Sequence, residues 1–186
     1  MSLIGKLKLN KRKAIFWILV FVLMVVIFIF SSRDAERSTK DSHKVGKFIG
    51  YVTEYDFQDW TEDAQERYAT RIDLPVRKTT HFLEYMLLGS FLVYAWYDVE
   101  YKKSINVLVP PAIAILYSVT DELHQTFISG RAGMLADVLL DSSGVIVGVI
   151  IALLIVRGFR AILCQMGIGA VAFTCASPLP WHSTKS

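Results

Sequence analysis

The sequence predicts an all-α integral membrane protein, a bundle of four transmembrane helices with a helical extracytoplasmic segment between the first two. Three observations carry that prediction. Of 186 residues, 53% are apolar and only 20% are charged. The apolar residues are gathered into long runs, at about 14–30, 79–97, 104–122 and 134–156, instead of being spread as in a soluble core. The ionisable residues that interrupt those runs collect near the ends that alternation places on one membrane side.

Residues 1–13 carry Lys6, Lys8, Lys11, Arg12 and Lys13 and no acid. Ala14–Phe30 follows with 17 uncharged residues, about 26 Å as a helix, near the lower limit for a span. Its end in Phe28-Ile29-Phe30 lacks the small residues of a signal-peptide cleavage site, which favours an uncleaved anchor. Its basic, acid-free flank predicts a cytoplasmic N-terminus; with four spans, both termini are then cytoplasmic, although basic residues flanking the spans are otherwise balanced between the sides.

Residues 31–78 form the polar segment, with nine basic and ten acidic residues. Val45, Phe48, Ile49 and Val52 recur at the period of an amphipathic helix. Asp59 with Glu62 reads as a capping-box start for another helix from Thr61, and Pro75 is expected to stop it near Leu74. Such helices would lie on the membrane surface or cover the bundle; the alternative reading of the segment is a mobile polar loop. The run 79–97 holds His81 and Glu84 and closes on an aromatic belt, Tyr94, Trp96 and Tyr97. A tight return at 98–103 leads to the third run, where Pro110-Pro111 predicts a kink or a delayed start. The turn before the fourth run carries Ser-Gly-Arg-Ala-Gly, and Arg157 opens a C-terminal tail, 157–186.

Composition also excludes classes. The net charge is only +3, from 20 basic and 17 acidic residues, with no basic groove for nucleic acid. Cys164 and Cys175 form no C-x-x-C pattern, so neither a disulfide framework nor a cysteine zinc site is expected.

The organising stretch is Tyr117–Gly148. The start of the second run, the end of the third and the start of the fourth share one membrane side, which holds His81, Glu84, Asp121, Glu122, His124, Gln125, Arg131, Asp137 and Asp141. Arg77 and Lys78 lie one turn before His81 and Glu84. Asp121 stands i, i+3 to His124 and i, i+4 to Gln125; Asp137 and Asp141 are i, i+4, continued by Gly144 and Gly148. Glycine on that face admits a neighbouring helix closely. Asp141 sits roughly 10 Å inside its run, where a carboxylate needs a partner, a proton, a cation or water.

Together, K-x-x-H-F-x-E-Y-x-x-L-G (Lys78–Gly89), D-E-x-H-Q-x-F (Asp121–Phe127), Gly130-Arg131 and D-x-x-x-D-x-x-G (Asp137–Gly144) resemble the VanZ-like family of bacterial membrane proteins, over roughly residues 14–156. Ser129 departs from a position where that family often carries proline, and the tail after Arg160 has no counterpart. The resemblance implies a multi-pass protein of the bacterial cytoplasmic membrane with a role in the cell envelope or in tolerance of glycopeptide antibiotics of the teicoplanin type.

Several readings of the polar set follow. As an enzyme at the outer face, the chain would use His81, Glu84, Asp121, His124, Asp137 and Asp141 for acid–base chemistry on a lipid-linked envelope substrate, with Arg77, Lys78, Gln125 and Arg131 holding it. In a variant, Glu84, Asp121, Asp137 and Asp141 hold a divalent metal, joined by His81 or His124 if the ion is zinc or iron. As a non-catalytic protein, the same residues would bind a membrane lipid or the antibiotic, or relay protons or small ions. The plainest reading is structural, with Arg131 bridging to Asp137 or Asp141 and Arg77 to Glu84. No H-E-x-x-H, G-x-S-x-G or phosphate-binding glycine loop is present, so no reaction class follows.

Overall fold

The computed structural model describes residues 3–97 and 103–165. Five α-helices follow one another, α1 (Leu3–Ser31), α2 (Ala35–Thr53), α3 (Glu62–Trp96), α4 (Lys103–Gln125) and α5 (Leu135–Gln165), with a 3₁₀ turn at Phe57–Asp59 and no strand among the described residues. Three helices contain stretches long and apolar enough to cross a membrane: Lys11–Ser31, Ser104–Gln125 and Leu135–Phe159. The tail predicted from Arg157 begins inside α5, which continues to Gln165; its remainder, and nearly all of the turn predicted at 98–103, fall outside the described residues.

The 35 residues of α3 make a rod of about 52 Å, longer than a bilayer's hydrocarbon core. The helix does not end near Leu74, as its proline predicts, but runs through Pro75. Proline removes one N–H donor and crowds the carbonyl four residues earlier. Here Ala69 on one side of it and Val76 on the other are buried, so packing on both flanks holds the helix together across the lost bond. Pro110 and Pro111 likewise lie within α4 without delaying its start. Thr61, not Asp59, caps α3, its side chain accepting from the Ala64 N–H.

The C-terminal half of α3 is the bundle's centre. Its Tyr85, Leu88, Leu92 and Val93 are fully buried, against Ile27 of α1, Ala114 of α4 and Val145 of α5. The α3–α5 contact is the closest, as the glycine spacing on α5 predicts. A Cβ on Gly89 would stand 2.7 Å from the Val145 carbonyl oxygen, and Cβ atoms on Gly144 and Gly148 would run into the carbonyls of Phe82 and Met86. The Ser90 hydroxyl donates to Met86 O at 2.9 Å and Gly148 O at 3.0 Å, joining the two backbones. The Tyr117 hydroxyl ties α4 to α1 by donating to Met24 O at 2.7 Å.

The amphipathic helix exists as α2, capped by Asp34, whose carboxylate accepts from the Arg37 N–H. Its apolar stripe is not the face that covers the bundle. α2 packs on the N-terminal half of α3 through Ser42, Gly46 and Gly50, whose small size lets the backbones approach, while Val45, Phe48 and Val52 stay exposed. An ion pair from Lys47 (2.7 Å) and a hydrogen bond with His43 Nδ1 (2.5 Å) hold Glu66 and clamp α2 to α3. Phe57 fills the space beside Gly50 and meets the rings of Tyr51, Trp60 and Tyr68. Gly130, at φ +71°, lets the α4–α5 loop reach the start of α2, where the Ala35 N–H donates to Ser129 O at 3.3 Å.

Candidate functional site

The end of α1, the start of α2, the middle of α3, the end of α4 and the start of α5 surround one cavity of about 510 Å³. Each helix delivers polar residues where its apolar run begins or ends. α3 contributes Arg77, Lys78, His81 and Glu84; α4 contributes Glu122 and Gln125; the loop contributes Arg131; α5 contributes Asp137. Phe30, Val45, Leu74, Met134 and Leu140 supply an apolar lining, so the space suits a molecule with both a polar and an apolar part.

The cations are paired unequally. Lys78 Nζ lies 3.2 Å from Asp137 Oδ1, and Arg77 lies 2.9 Å from Asp73. Arg131 has no ion pair among the described residues. Its Nη1 donates to Gln125 Oε1 at 3.2 Å and Ser31 O at 3.4 Å, and its Nε is buried without a hydrogen bond. Burial first, and then the positive charge of Arg77, push the Arg131 guanidinium below its ordinary value of 12.5. Both causes disfavour its charge, so a negative charge entering the cavity would be attracted there. The bridges expected from Arg131 to Asp137 or Asp141, and from Arg77 to Glu84, do not form. Lys78 and Asp73 stand nearer to those partners.

Asp121 and Asp141 lie behind the cavity wall, both buried. Asp121 Oδ2 accepts from the Ser31 hydroxyl at 2.8 Å and from Gln125 Nε2 at 3.3 Å. Asp141 Oδ2 accepts from the Ser118 hydroxyl at 3.0 Å, and its Oδ1 stands 3.7 Å from His81 Nδ1. His124 is not brought to the set. Its ring stacks on Phe28 at 4.8 Å, and its Nε2 meets the Ser32 hydroxyl at 3.1 Å, on the side of α4 turned to α1.

The proposed metal set of Glu84, Asp121, Asp137 and Asp141 does not converge on one point. Lys78 draws Asp137 aside, and Asp141 sits beyond His81. Among the described residues, the group whose potential ligand atoms come together is His81, Asp121 and Glu122, all within 4.8 Å of one another. Adjacent residues on a helix ordinarily diverge by about 100°. Glu122 is turned inward by its contacts, Gln125 Nε2 donating to its Oε1 at 3.2 Å and the Met134 N–H to its Oε2 at 3.1 Å.

The VanZ/LLP1 family model matches residues 16–156, a stretch that contains every residue of this cavity. The chain belongs to that family. No curated protein and no solved structure matches it.

In this VanZ/LLP1 chain, sequence reasoning left several site residues without a role. Ser31, Ser118 and Tyr85 are fully buried beside the carboxylates, yet Ser118 and Tyr85 stand in apolar runs and Ser31 just past the end of one, where a serine or tyrosine carries no distinguishing signal. Ser31 is the most informative of them. It closes α1 and its hydroxyl reaches Asp121 across 90 positions of sequence, which local spacing cannot show. The Tyr85 hydroxyl and Asp121 Oδ1 are buried without hydrogen bonds among the described residues.

Proposed function

We propose that this VanZ/LLP1 chain binds the anionic head group of an envelope amphiphile in a cavity opening at the outer face of the bacterial cytoplasmic membrane. One observation carries the proposal. Three guanidinium groups line one half-apolar cavity: Arg33 pairs with Asp41 and Arg77 with Asp73, whereas Arg131 makes no ion pair among the described residues. Asp121, Glu122 and Asp34 act on Arg131 only through space; a half-buried cation without a direct ion pair is costly, and a phosphate or carboxylate suits the planar fork of arginine. The apolar lining of Phe30, Val45, Leu74 and Met134 would receive an acyl chain.

In this reading the C-terminal half of α3, about 79–97, is the fourth span. Its lower hydropathy matches its place: it packs against α1, α4 and α5, and its buried face needs no lipid. Four spans put both termini in the cytoplasm and residues 31–78 outside, with the exposed apolar stripe of α2 resting on the outer leaflet. A bound head group would meet His81 and Glu84, which can exchange protons with it, while Asp141 orients the His81 ring. The amphiphile is a phosphate-headed lipid or lipid-linked precursor, or a glycopeptide antibiotic of the teicoplanin type, as the family resemblance implies.

The test is thermal shift on the detergent-purified full chain with short-chain phosphatidic acid in one arm and teicoplanin in another. At a hundredfold excess over Kd, ligand binding adds about 2.7 kcal/mol of stability, and that shift should vanish in an Arg77→Gln/Arg131→Gln double variant. Indifference of the wild type to both ligands, or an unchanged shift in the double variant, would overturn the proposal.

A further inference from the structure

We infer that His81, Asp121 and Glu122 form a binding site for a divalent metal ion at the floor of this cavity. The inference goes beyond the head-group reading and does not rest on it, because the ion's partners are the chain's own residues.

Geometry comes first. The three potential ligand atoms lie within 4.8 Å of one another. Ligands of a tetrahedral ion at about 2.0–2.1 Å stand about 3.4 Å apart. Small side-chain rotations close that difference. The group spans α3 and α4, so it is not one acidic run along a single helix.

A second observation points to a ligand. Asp121 is 3% exposed, and its Oδ1 is buried without a close hydrogen bond among the described residues, though the buried Tyr85 hydroxyl acts on this carboxylate. Its other oxygen is held by Ser31 and Gln125, which fixes the carboxylate and leaves Oδ1 free to coordinate. Glu122 is held at both oxygens, Oε1 by Gln125 and Oε2 by the Met134 N–H, so it would coordinate through a remaining lone pair.

The histidine is also set as a ligand would be. Metal-bound histidines usually give their second ring nitrogen to a carboxylate, which orients the ring and raises its basicity. His81 Nδ1 faces fully buried Asp141 at 3.7 Å, so Nε2 is the nitrogen left for an ion.

Charge gives the same direction. Asp121, Glu122 and Asp141 form no ion pair with a lysine or arginine among the described residues, and His81 stands 3.7 Å from Asp141 and within 4.8 Å of the other two. Buried carboxylates are paired, protonated or bound to metal. One imidazole nitrogen with carboxylate oxygens suits an ion of the zinc or manganese class better than magnesium or copper(I). His81 and Glu122 also line the cavity, which leaves a coordination position open towards it.

The test is metal titration of the chelator-stripped, detergent-purified full chain with Zn²⁺ and Mn²⁺, read by calorimetry and elemental analysis. One ion per chain is expected, with more than a hundredfold weaker binding in Asp121→Asn and in Glu122→Gln. Asp141→Asn should weaken it about 10- to 100-fold, as outer-shell substitutions do, and Asp56→Asn, at an exposed turn, should leave it unchanged. A measurement on the wild type needs no variant to fold: Zn²⁺ should protect His81 from diethylpyrocarbonate, read by peptide mass. No stoichiometric ion, equal binding in Asp121→Asn, or His81 modified equally with and without Zn²⁺ would each overturn the inference.

Discussion

Replacing Gly144 by alanine should damage both the bundle and the site, by an amount the structure sets. The new Cβ would run into the Phe82 carbonyl, a backbone atom that cannot rotate away. Overpacking of this kind costs about 1–3 kcal/mol, and a rigid backbone obstacle argues for the upper part of that range. Alanine returns about 1 kcal/mol in helix propensity, which leaves a net loss of about 1–2 kcal/mol. Gly158 supplies the internal control. It lies on the same helix with nothing within 4 Å of its Cβ position, so Gly158→Ala should be neutral or stabilising by up to about 1 kcal/mol. Gly144 is also one turn from Asp141, and Phe82 adjoins His81, so forcing α3 and α5 apart should lengthen the 3.7 Å His81–Asp141 approach. Thermal unfolding of both variants in one detergent reads the first effect; the reactivity of His81 towards diethylpyrocarbonate reads the second. Equal melting temperatures for Gly144→Ala and Gly158→Ala would refute the close α3–α5 approach.

Three further outcomes are expected. Glu66 is held below the ordinary 4.5 by hydrogen bonds from Lys47 and then His43, so its contribution to α2–α3 docking is full above pH 4.5 and is lost as pH falls through the lower folded value; a melting-temperature gap between wild type and Glu66→Gln should therefore be present at pH 7 and shrink towards pH 3, and a gap that widens would contradict it. Gly130→Ala forces a side chain into a left-handed backbone conformation (φ +71°) against Ala35 and should cost at least about 1 kcal/mol, detected as a lower melting temperature and faster proteolysis at the α4–α5 loop. With Cys164 and Cys175 changed to serine, Tyr55→Cys, at an exposed position after α2, should be labelled by an impermeant maleimide in intact cells; labelling only after lysis would reverse the proposed orientation.

Much of the fold is legible in sequence because the bilayer imposes a simple rule on apolar runs. The runs at 14–30 and 104–122 fall within α1 and α4, that at 134–156 coincides with α5 but for Met134, and alternation places His81, Gln125, Arg131 and Asp137 at one end before any contact is known. Spacing on one helix also held where it concerned backbone approach, as at Gly144 and Gly148. What escaped was set by partners remote in sequence. Pro75 reads as a stop because its local cost is visible and the burial of Ala69 and Val76 is not. The stripe Val45, Phe48, Val52 leaves open in sequence whether α2 covers the bundle or lies on the membrane surface; close contact with α3 selects Ser42, Gly46 and Gly50 and leaves the stripe exposed. His124 shares its helix with Asp121 but turns to Phe28 and Ser32, and Glu122 joins the set through the Met134 N–H of the following loop. No helical wheel of α4 alone distinguishes those two outcomes.

The most direct test of the head-group cavity is photocrosslinking in native membranes with a phosphatidic acid analogue carrying a diazirine in its acyl chain, followed by peptide mapping. The proposed cavity predicts adducts concentrated on Val45, Leu74 and Met134, the apolar lining beside Arg77 and Arg131. Those adducts should disappear in Arg77→Gln/Arg131→Gln, while labelling of the lipid-facing side of α1 persists. Adducts spread evenly over the exposed apolar residues of α1, α4 and α5, and unchanged in that variant, would contradict it.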